Sequence, residues 1–298
     1  MRILVSGHTG QVSRALSEKA KSSDAEIISV GRPELDITDQ TSISKALSKF
    51  VPDIVINAAA YTAVDAAEAN ETIAEAVNTH GASLLAKQTK DRSIPIIHFS
   101  TDYVFDGSKE SAYLESDPVA PIGVYGKTKR NGEVRVQKEN PQHVILRTAW
   151  VYSPFGQNFI KTMLRLADDR DEISVVADQR GAPTNALDLA EATLEIAAQM
   201  VRHSERASTG TFHMAGSGEA VWADFAEHIF NVSRAAGGPT ANVRRIKTSE
   251  YPTPAKRPSN SVLDCSRLAA TYGIELPDWH DSATLCVQRI LSEGAWRQ

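Results

Sequence analysis

The 298-residue sequence predicts an α/β fold, a doubly wound parallel sheet with a smaller C-terminal α/β lobe. Through the first two-thirds of the chain, short β-branched runs alternate with longer stretches of helical periodicity, the pattern of parallel strands joined by crossover helices. A glycine-containing turn stands directly between the first run and the helical pattern that follows it. After about Trp150 the alternation loosens.

The strands are RILVS at 2–6, AEIISV at 25–30, DIVINAAA at 53–60, PIIHFS at 95–100 and HVILRT at 143–148. Between them, Ile73, Ala76, Val77, Leu84 and Leu85 give 71–90 an apolar stripe at helical spacing. These elements make residues 1–150 a Rossmann-type dinucleotide-binding domain. Residues 151–298 are read as the smaller lobe, with helices at 157–169, 186–201 and 221–235, a strand at 173–177 and a short strand in GTFHMA at 210–215. The 184–201 helix is expected to return to the first domain. Tyr251 to Pro258 is too rich in proline for regular structure. No repeat, low-complexity tract or flexible linker interrupts the chain.

A net charge of -5 and a pI near 5.9 leave no basic footprint for nucleic acid. Cys265 and Cys286, the two cysteines, are too few for a disulfide framework and are read as small buried hydrophobes of a reducing cytoplasm. No apolar stretch of signal-peptide or membrane-spanning length occurs, so a soluble protein is expected. His98 and His213 sit in apolar strands and are read as structural, and no His/Cys/Asp/Glu cluster has metal-ligand spacing.

In Gly7-His8-Thr9-Gly10-Gln11-Val12-Ser13, Gly7 permits a tight turn. Gly10 leaves room for backbone to approach a pyrophosphate, and the helix amides then face that anion. Ser13 replaces the third glycine of the dinucleotide fingerprint and is small enough for close helix–strand packing. The second strand ends in Val30-Gly31-Arg32, where an acidic residue would bind a ribose 2′-hydroxyl and an arginine can pair with a 2′-phosphate. NADPH is therefore preferred, with NADH as the alternative.

Tyr125 and Lys129 lie four residues apart, on one face of a helix if 123–139 is helical. A cation near a phenol stabilises the phenolate and brings its pKa toward neutrality. Thr101 ends the fourth strand at its carboxyl end, where open α/β sheets bind ligands. There its hydroxyl can orient a substrate oxygen for Tyr125 and share its developing charge.

The segments GHTGQVS, NAAAYTAVDAAE, STDYVFDG, PIGVYGKTK, RTAWVYSPFGQNF, DQRGAPTNALDLA and YPTPAKRPSNSVLD run nearly end to end. With them the chain resembles the extended short-chain dehydrogenases/reductases and, more narrowly, the dTDP-4-dehydrorhamnose reductase family. The resemblance implies a general-acid role for Tyr125, support of the tyrosine and the cofactor ribose by Lys129, and tuning of proton transfer by Thr101. It implies cofactor contacts from Gly7, Gly10, Gln11 and Val12, from Asp36 and Ile37, and from Ala59, Ala60 and Tyr61. It implies sugar-nucleotide contacts from Tyr103, Val104 and Trp150. Asn158, Arg180 and Arg257 are further candidates for the sugar or diphosphate.

The implied reaction is reduction of the C4 ketone of dTDP-4-dehydro-L-rhamnose to dTDP-L-rhamnose by NADPH. A homodimer is the family expectation, and magnesium at a subunit contact is carried by resemblance alone. The alternatives are another sugar-nucleotide reductase, an epimerase or 4,6-dehydratase of the same fold, or a non-catalytic regulatory subunit of methionine adenosyltransferase. Dehydratases of this type carry Thr-Asp-Glu at the strand end, whereas this chain has Thr101-Asp102-Tyr103. Retention of Tyr125, Lys129 and Thr101 argues against a non-catalytic subunit.

Overall fold

Successive residues of a strand face opposite sides of a sheet, so an apolar run with no alternation must be covered on both faces. The computed structural model, which describes residues 1–202 and 208–297, shows this arrangement. The first half of the chain contains β1 (Arg2–Ser6), α1 (Gln11–Lys19), β2 (Glu26–Val30), α2 (Gln40–Phe50), β3 (Ile54–Asn57), α3 (Val64–Ala67), α4 (Glu71–Glu75), α5 (Ala82–Lys90), β4 (Ile96–Thr101), α6 (Val124–Glu139) and β5 (His143–Thr148). There follow β6 (Val151–Tyr152), α7 (Phe159–Ala167), β7 (Glu172–Val176), β8 (Arg180–Gly181), β9 (Thr184–Asn185), α8 (Ala186–Arg202), β10 (Gly210–His213), β11 (Ala220–Val221), α9 (Trp222–Ala235), β12 (Asn242–Ile246), α10 (Ser266–Tyr272) and α11 (Trp279–Ser292).

The main sheet has six strands in the order β10-β5-β4-β3-β1-β2, every neighbouring pair parallel. Ile3, Val5, Ile54, Ile56, Ile97, Val144 and Leu146 face a core with Leu16 of α1 and Leu189 and Ile196 of α8. The intervening Leu4, Val55, Ile96 and Ile145 face the opposite core with Ile43, Leu47, Leu85 and Val136 of α2, α5 and α6. The segment 210–215, grouped by sequence with the second lobe, instead supplies the edge strand β10, paired with β5 from Gly210↔Val144 to His213↔Arg147. A separate core gathers Ile160, Leu164, Ile173, Phe225, Ile229, Trp279, Val287 and Ile290 around α7, α9 and α11. Beside it β7 and β12 pair in parallel. Tyr251 to Pro258 is irregular, as its prolines require.

The helix read across 71–90 is helical throughout but is interrupted by a π-helical turn at Ala76–Gly81. That turn presents Asn78, whose side chain bonds the chain after β3 and the inner face of α6. π turns inserted in α-helices recur at functional sites for this reason, since they re-aim a side chain. Helix α6 sits unusually close to its neighbours. A Cβ on Gly126 would lie 2.1 Å from the Tyr103 carbonyl oxygen, and one on Gly132 would lie 2.2 Å from that of Asn78.

Candidate active site

Between β1 and β3 the strand order reverses, and that switch point is where a doubly wound sheet opens a crevice at its carboxyl edge. Gly7 turns there at φ +92°, and its amide donates to the Val30 carbonyl at 2.7 Å. Gly10 precedes α1 in extended conformation, and no side chain caps the helix. A Cβ built on Gly10 would meet nothing within 4 Å. Uncapped amides, the positive end of a helix dipole and open space above Gly10 together fit a pyrophosphate. A valine at Gly10 is therefore expected to fold normally and to weaken NADPH binding at least about tenfold, because its branched side chain would fill that space; thermal melting and fluorescence titration check the two halves separately.

The other cofactor candidates border this crevice with different degrees of freedom. The Gln11 side chain is used inside the chain: its nitrogen donates to the Val151 carbonyl (3.2 Å), and its oxygen accepts from Ser153 (2.7 Å) and Asn158 (3.1 Å). Only its backbone is left for a cofactor. Val12 packs against the sheet core. Arg32 is exposed past the end of β2. Asp36 accepts from the Thr38 amide (2.9 Å) and hydroxyl (2.7 Å), bonds that hold its carboxyl below the usual range, with Arg32 adding to the effect. Ile37 is buried against the α2 and α5 face of the sheet. The Ala59-Ala60-Tyr61 turn follows β3. Asn78 fixes it, accepting from the Tyr61 amide (2.8 Å) and donating to its carbonyl (3.1 Å).

Thr101, Tyr125 and Lys129 converge beside this crevice. The Thr101 hydroxyl donates to Asp102 Oδ1 (2.9 Å) and accepts from the Tyr103 amide (3.2 Å), and it lies close enough to the Tyr125 phenol to stabilise the phenolate. Lys129, 3% exposed, donates to the Phe99 carbonyl at 2.6 Å. Burial lowers the Lys129 ammonium to about 8, against the opposing pull of Glu133. Burial also raises the Tyr125 phenol to about 12, the Thr101 bond opposing it and Asp102 adding to it. The sequence expectation that Lys129 brings the phenol toward neutrality is thus not met by the protein alone, because the ammonium is committed to a backbone carbonyl and the phenol is desolvated. Asp102 is raised to about 6 by burial, and its Oδ2 has no hydrogen bond. The nearby Ser261 hydroxyl steadies that charge but is aimed at the Arg180 carbonyl (3.4 Å).

Among the residues expected to contact the sugar nucleotide, Tyr103 packs edge-on to Tyr125, ring centroids 5.9 Å apart. Arg257 donates to the Thr253 hydroxyl and to Asp65 (2.7 Å), which ties the proline-rich stretch to α3. Trp150 adopts φ 45°, a strained conformation for a residue with a Cβ, of order 1–3 kcal/mol. Its ring stacks on Trp222 at 3.6 Å between centroids and covers Gly181, where a Cβ would lie 2.4 Å from the indole. Val104 is fully buried with Phe105 and Tyr113 and forms the underside of the turn. Asn158 caps α7 and donates to Gln11, Ser153 and Phe155, so it joins the phosphate turn to the second lobe. Arg180 pairs with Glu219 (2.7 Å) and the Glu110 carbonyl (2.9 Å).

Sequence reading missed Asn78, Asp65, Trp222 and the buried pair Glu133–Arg147. Glu133 carried a signal, since Tyr125, Lys129 and Glu133 repeat every four residues on one face of α6. His98 and His213 are buried, and burial holds both below the usual histidine range. Cys286 is buried, whereas Cys265 is only partly so. Among the described residues, no group of three or more His, Cys, Asp or Glu is placed to hold a metal ion, so magnesium has no assigned ligand. No described helix is long and apolar enough to cross a membrane.

Residues 1–292 match the RmlD substrate binding domain family. The chain is 47% identical over 294 residues to the dTDP-4-dehydrorhamnose reductase of Sinorhizobium fredii, covering 99% of each protein, and 38% identical over 299 residues to that of Escherichia coli K12, covering 98% of each. Its fold superposes on the Clostridium acetobutylicum dTDP-4-dehydrorhamnose reductase with a TM-score of 0.90 at 37% identity, covering 98% of this chain and 100% of that one. The Bacillus anthracis enzyme, solved in complex with NADP, gives 0.88 at 32% identity, covering 98% and 99%. With the phosphate turn, the Thr101/Tyr125/Lys129 set and a match over almost its whole length, this chain belongs to the dTDP-4-dehydrorhamnose reductase family.

Proposed function

We propose that this chain reduces the C4 ketone of dTDP-4-dehydro-L-rhamnose to the alcohol of dTDP-L-rhamnose at the expense of NADPH. The observation that carries the reading is Thr101 at the carboxyl edge of β4, with Tyr125 packed edge-on to Tyr103 of the turn that follows, beside the open Gly10 turn. The backbone of Gly7 to Val12, together with Arg32, Asp36, Ile37, Ala59, Ala60 and Tyr61, would hold NADPH, which would supply the hydride.

Reduction leaves negative charge on the carbonyl oxygen. Tyr125 gives that oxygen its phenolic proton, forming the C4 hydroxyl and leaving a phenolate to be reprotonated. A phenol raised to about 12 is neutral throughout the working pH range, which suits a donor and excludes it as a resting base. The transfer still runs downhill, since an alkoxide is a stronger base than a phenolate. Thr101 would share the charge developing on the substrate oxygen, and Lys129 would hold the cofactor ribose and offset the phenolate once formed. Tyr103, Trp150 and Arg257 line the sugar-nucleotide side, Arg257 offering a cation to the diphosphate, with Asn158 and Arg180 behind them.

A dehydratase would need a base to remove the C5 proton where this chain has Tyr103, whose phenol burial and Asp102 push above its usual range. The experiment that tests the reading is cofactor stoichiometry: one NADPH consumed per ketone reduced is expected, and turnover with no net NADPH loss would point to an epimerase. For cofactor choice, Arg32→Ala is expected to lower the NADPH-to-NADH ratio of kcat/KM at least about tenfold, the loss of one charge-assisted bond to the 2′-phosphate; an unchanged ratio refutes that role.

The assignment of residues 1–150 to cofactor and of 151–298 mainly to the sugar nucleotide, with α8 and β10 packed into the first domain, is part of the same proposal, supported by the separate core around α7, α9 and α11. So are a homodimer, which sedimentation would test, and a cytoplasmic location, with which free Cys265 and Cys286 agree.

A further inference from the structure

Beneath the proton-transfer set lies a buried charge that the reaction does not use. Glu133 is fully buried, and each of its carboxylate oxygens accepts two hydrogen bonds. Oε1 accepts from the Ser100 hydroxyl (2.6 Å) and Arg147 Nε (2.8 Å); Oε2 accepts from Arg147 Nη2 (2.8 Å) and Arg130 Nη1 (2.9 Å). Ser100 immediately precedes Thr101 on β4, Arg147 is on β5, and Glu133 is one turn beyond Lys129 on α6. The Arg147 guanidinium also lies over the Phe105 ring at 5.2 Å, at the end of the turn that follows Thr101. One carboxylate thus ties the helix bearing Tyr125 and Lys129 to the strand bearing Thr101.

We propose that Glu133 is a positioning residue of the reductase, which with Arg147 seats α6 on β4 and supplies the counter-charge that keeps the Lys129 ammonium intact in a buried site. The proposal rests on the reductase reading above. A purely architectural role would not require a charge, since apolar residues of matched volume serve buried interfaces equally well. The surroundings of Lys129 show why a charge matters here. From β4 it meets the Phe99 carbonyl and His98, which burial keeps neutral. The π turn against α6 presents uncharged Asn78 and Thr79. Tyr125 is neutral, and Arg130 and Arg147 are paired with Glu133 itself. Asp102 is bonded to Thr101. Glu133 is the charge that opposes the desolvation of Lys129.

The test follows NADPH affinity and kcat/KM from pH 6 to pH 10 in three variants. In wild type, both are expected to decline as pH rises through about 8, where Lys129 loses its proton. Glu133→Gln is expected to move that decline to lower pH and to reduce kcat/KM at least about tenfold. The pair Glu133→Leu/Arg147→Met removes both charges together, serves where the single variant fails to fold, and is expected to move the decline in the same direction by a smaller amount. Ser100→Ala leaves the ion pair whole and is expected to lower kcat severalfold with the decline in place. Folded charge-removing variants that titrate as wild type overturn the counter-charge, and wild-type kcat in Ser100→Ala overturns the seat. Wild-type turnover of the 4-keto sugar checks the reductase reading separately: if it is absent, that reading falls while the NADPH-binding profile still tests Glu133.

Discussion

Tyr125→Phe is expected to lower kcat by about 10²- to 10⁴-fold, the range that positioned general-acid catalysis contributes, while NADPH affinity and the melting temperature stay near wild type. The substitution removes one oxygen and leaves in place a ring that packs edge-on to Tyr103, centroids 5.9 Å apart. Thr101 keeps its partners Asp102 and the Tyr103 amide, so its buried hydroxyl is not left orphaned. Stopped-flow absorbance of NADPH separates the hydride step from binding. Because the phenol is neutral up to about 12, the variant's defect is expected to be the same at pH 6 and pH 8, whereas loss of a resting phenolate would give a defect that grows with pH.

Arg147→Met is expected to have the largest effect on stability, about 3–5 kcal/mol, because it strands a charge in the interior. The Arg147 and Glu133 side chains are 2% and 0% exposed, and the guanidinium supplies two of the four bonds to the carboxylate. Arg130 remains but is 29% exposed and reaches only Oε2. In wild type these partners hold the Glu133 carboxyl below its usual range against burial. Without Arg147, burial wins and the folded-state pKa rises above the unfolded value of about 4.3. Between those two values the folded protein binds more protons than the unfolded chain, so stability falls as pH rises. The deficit against wild type is therefore expected to be smaller near pH 5 than near pH 8, as urea unfolding at the two pH values would show. A pH-independent deficit would mean that lost packing, not a stranded charge, is the cause.

Much of the fold could be read from the sequence because its signals are local. The strands before β6 are continuous apolar runs whose alternate residues divide between the two cores, and the helix carrying Tyr125 runs close to its expected bounds. Helices α2 and α11 were harder to see, although each is capped by an aspartate, Asp39 accepting from the Thr41 amide and Asp278 from that of His280. The placement of β10 in the main sheet was not legible, because its pairing with β5 joins residues about 66 apart and leaves no trace in local pattern.

The site divides along the same line. Gly7, Gly10, Thr101, Tyr125 and Lys129 are legible as candidates because strand ends and helical spacing place them. Their protonation is not. The four-residue spacing of Tyr125 and Lys129 suggests a cation acting on a phenol, yet the ammonium is turned to the Phe99 carbonyl and the phenol is raised by burial. Asn158 and Gln11 look like free polar groups in sequence, but the fold joins them to each other and to Ser153. Arg257 reads as a lone charge, and only the folded chain brings Asp65, 192 residues away, against it.

The claim that Tyr125 and its neighbours serve ketone reduction is tested most directly by isotope transfer. Incubation of wild-type enzyme with dTDP-4-dehydro-L-rhamnose and NADPH deuterated at the transferable position of the nicotinamide is expected to yield dTDP-L-rhamnose with one deuterium at C4 of the sugar and an equal amount of NADP⁺, read by mass spectrometry and NMR. A sugar nucleotide converted without deuterium at C4 and without net formation of NADP⁺ would contradict it.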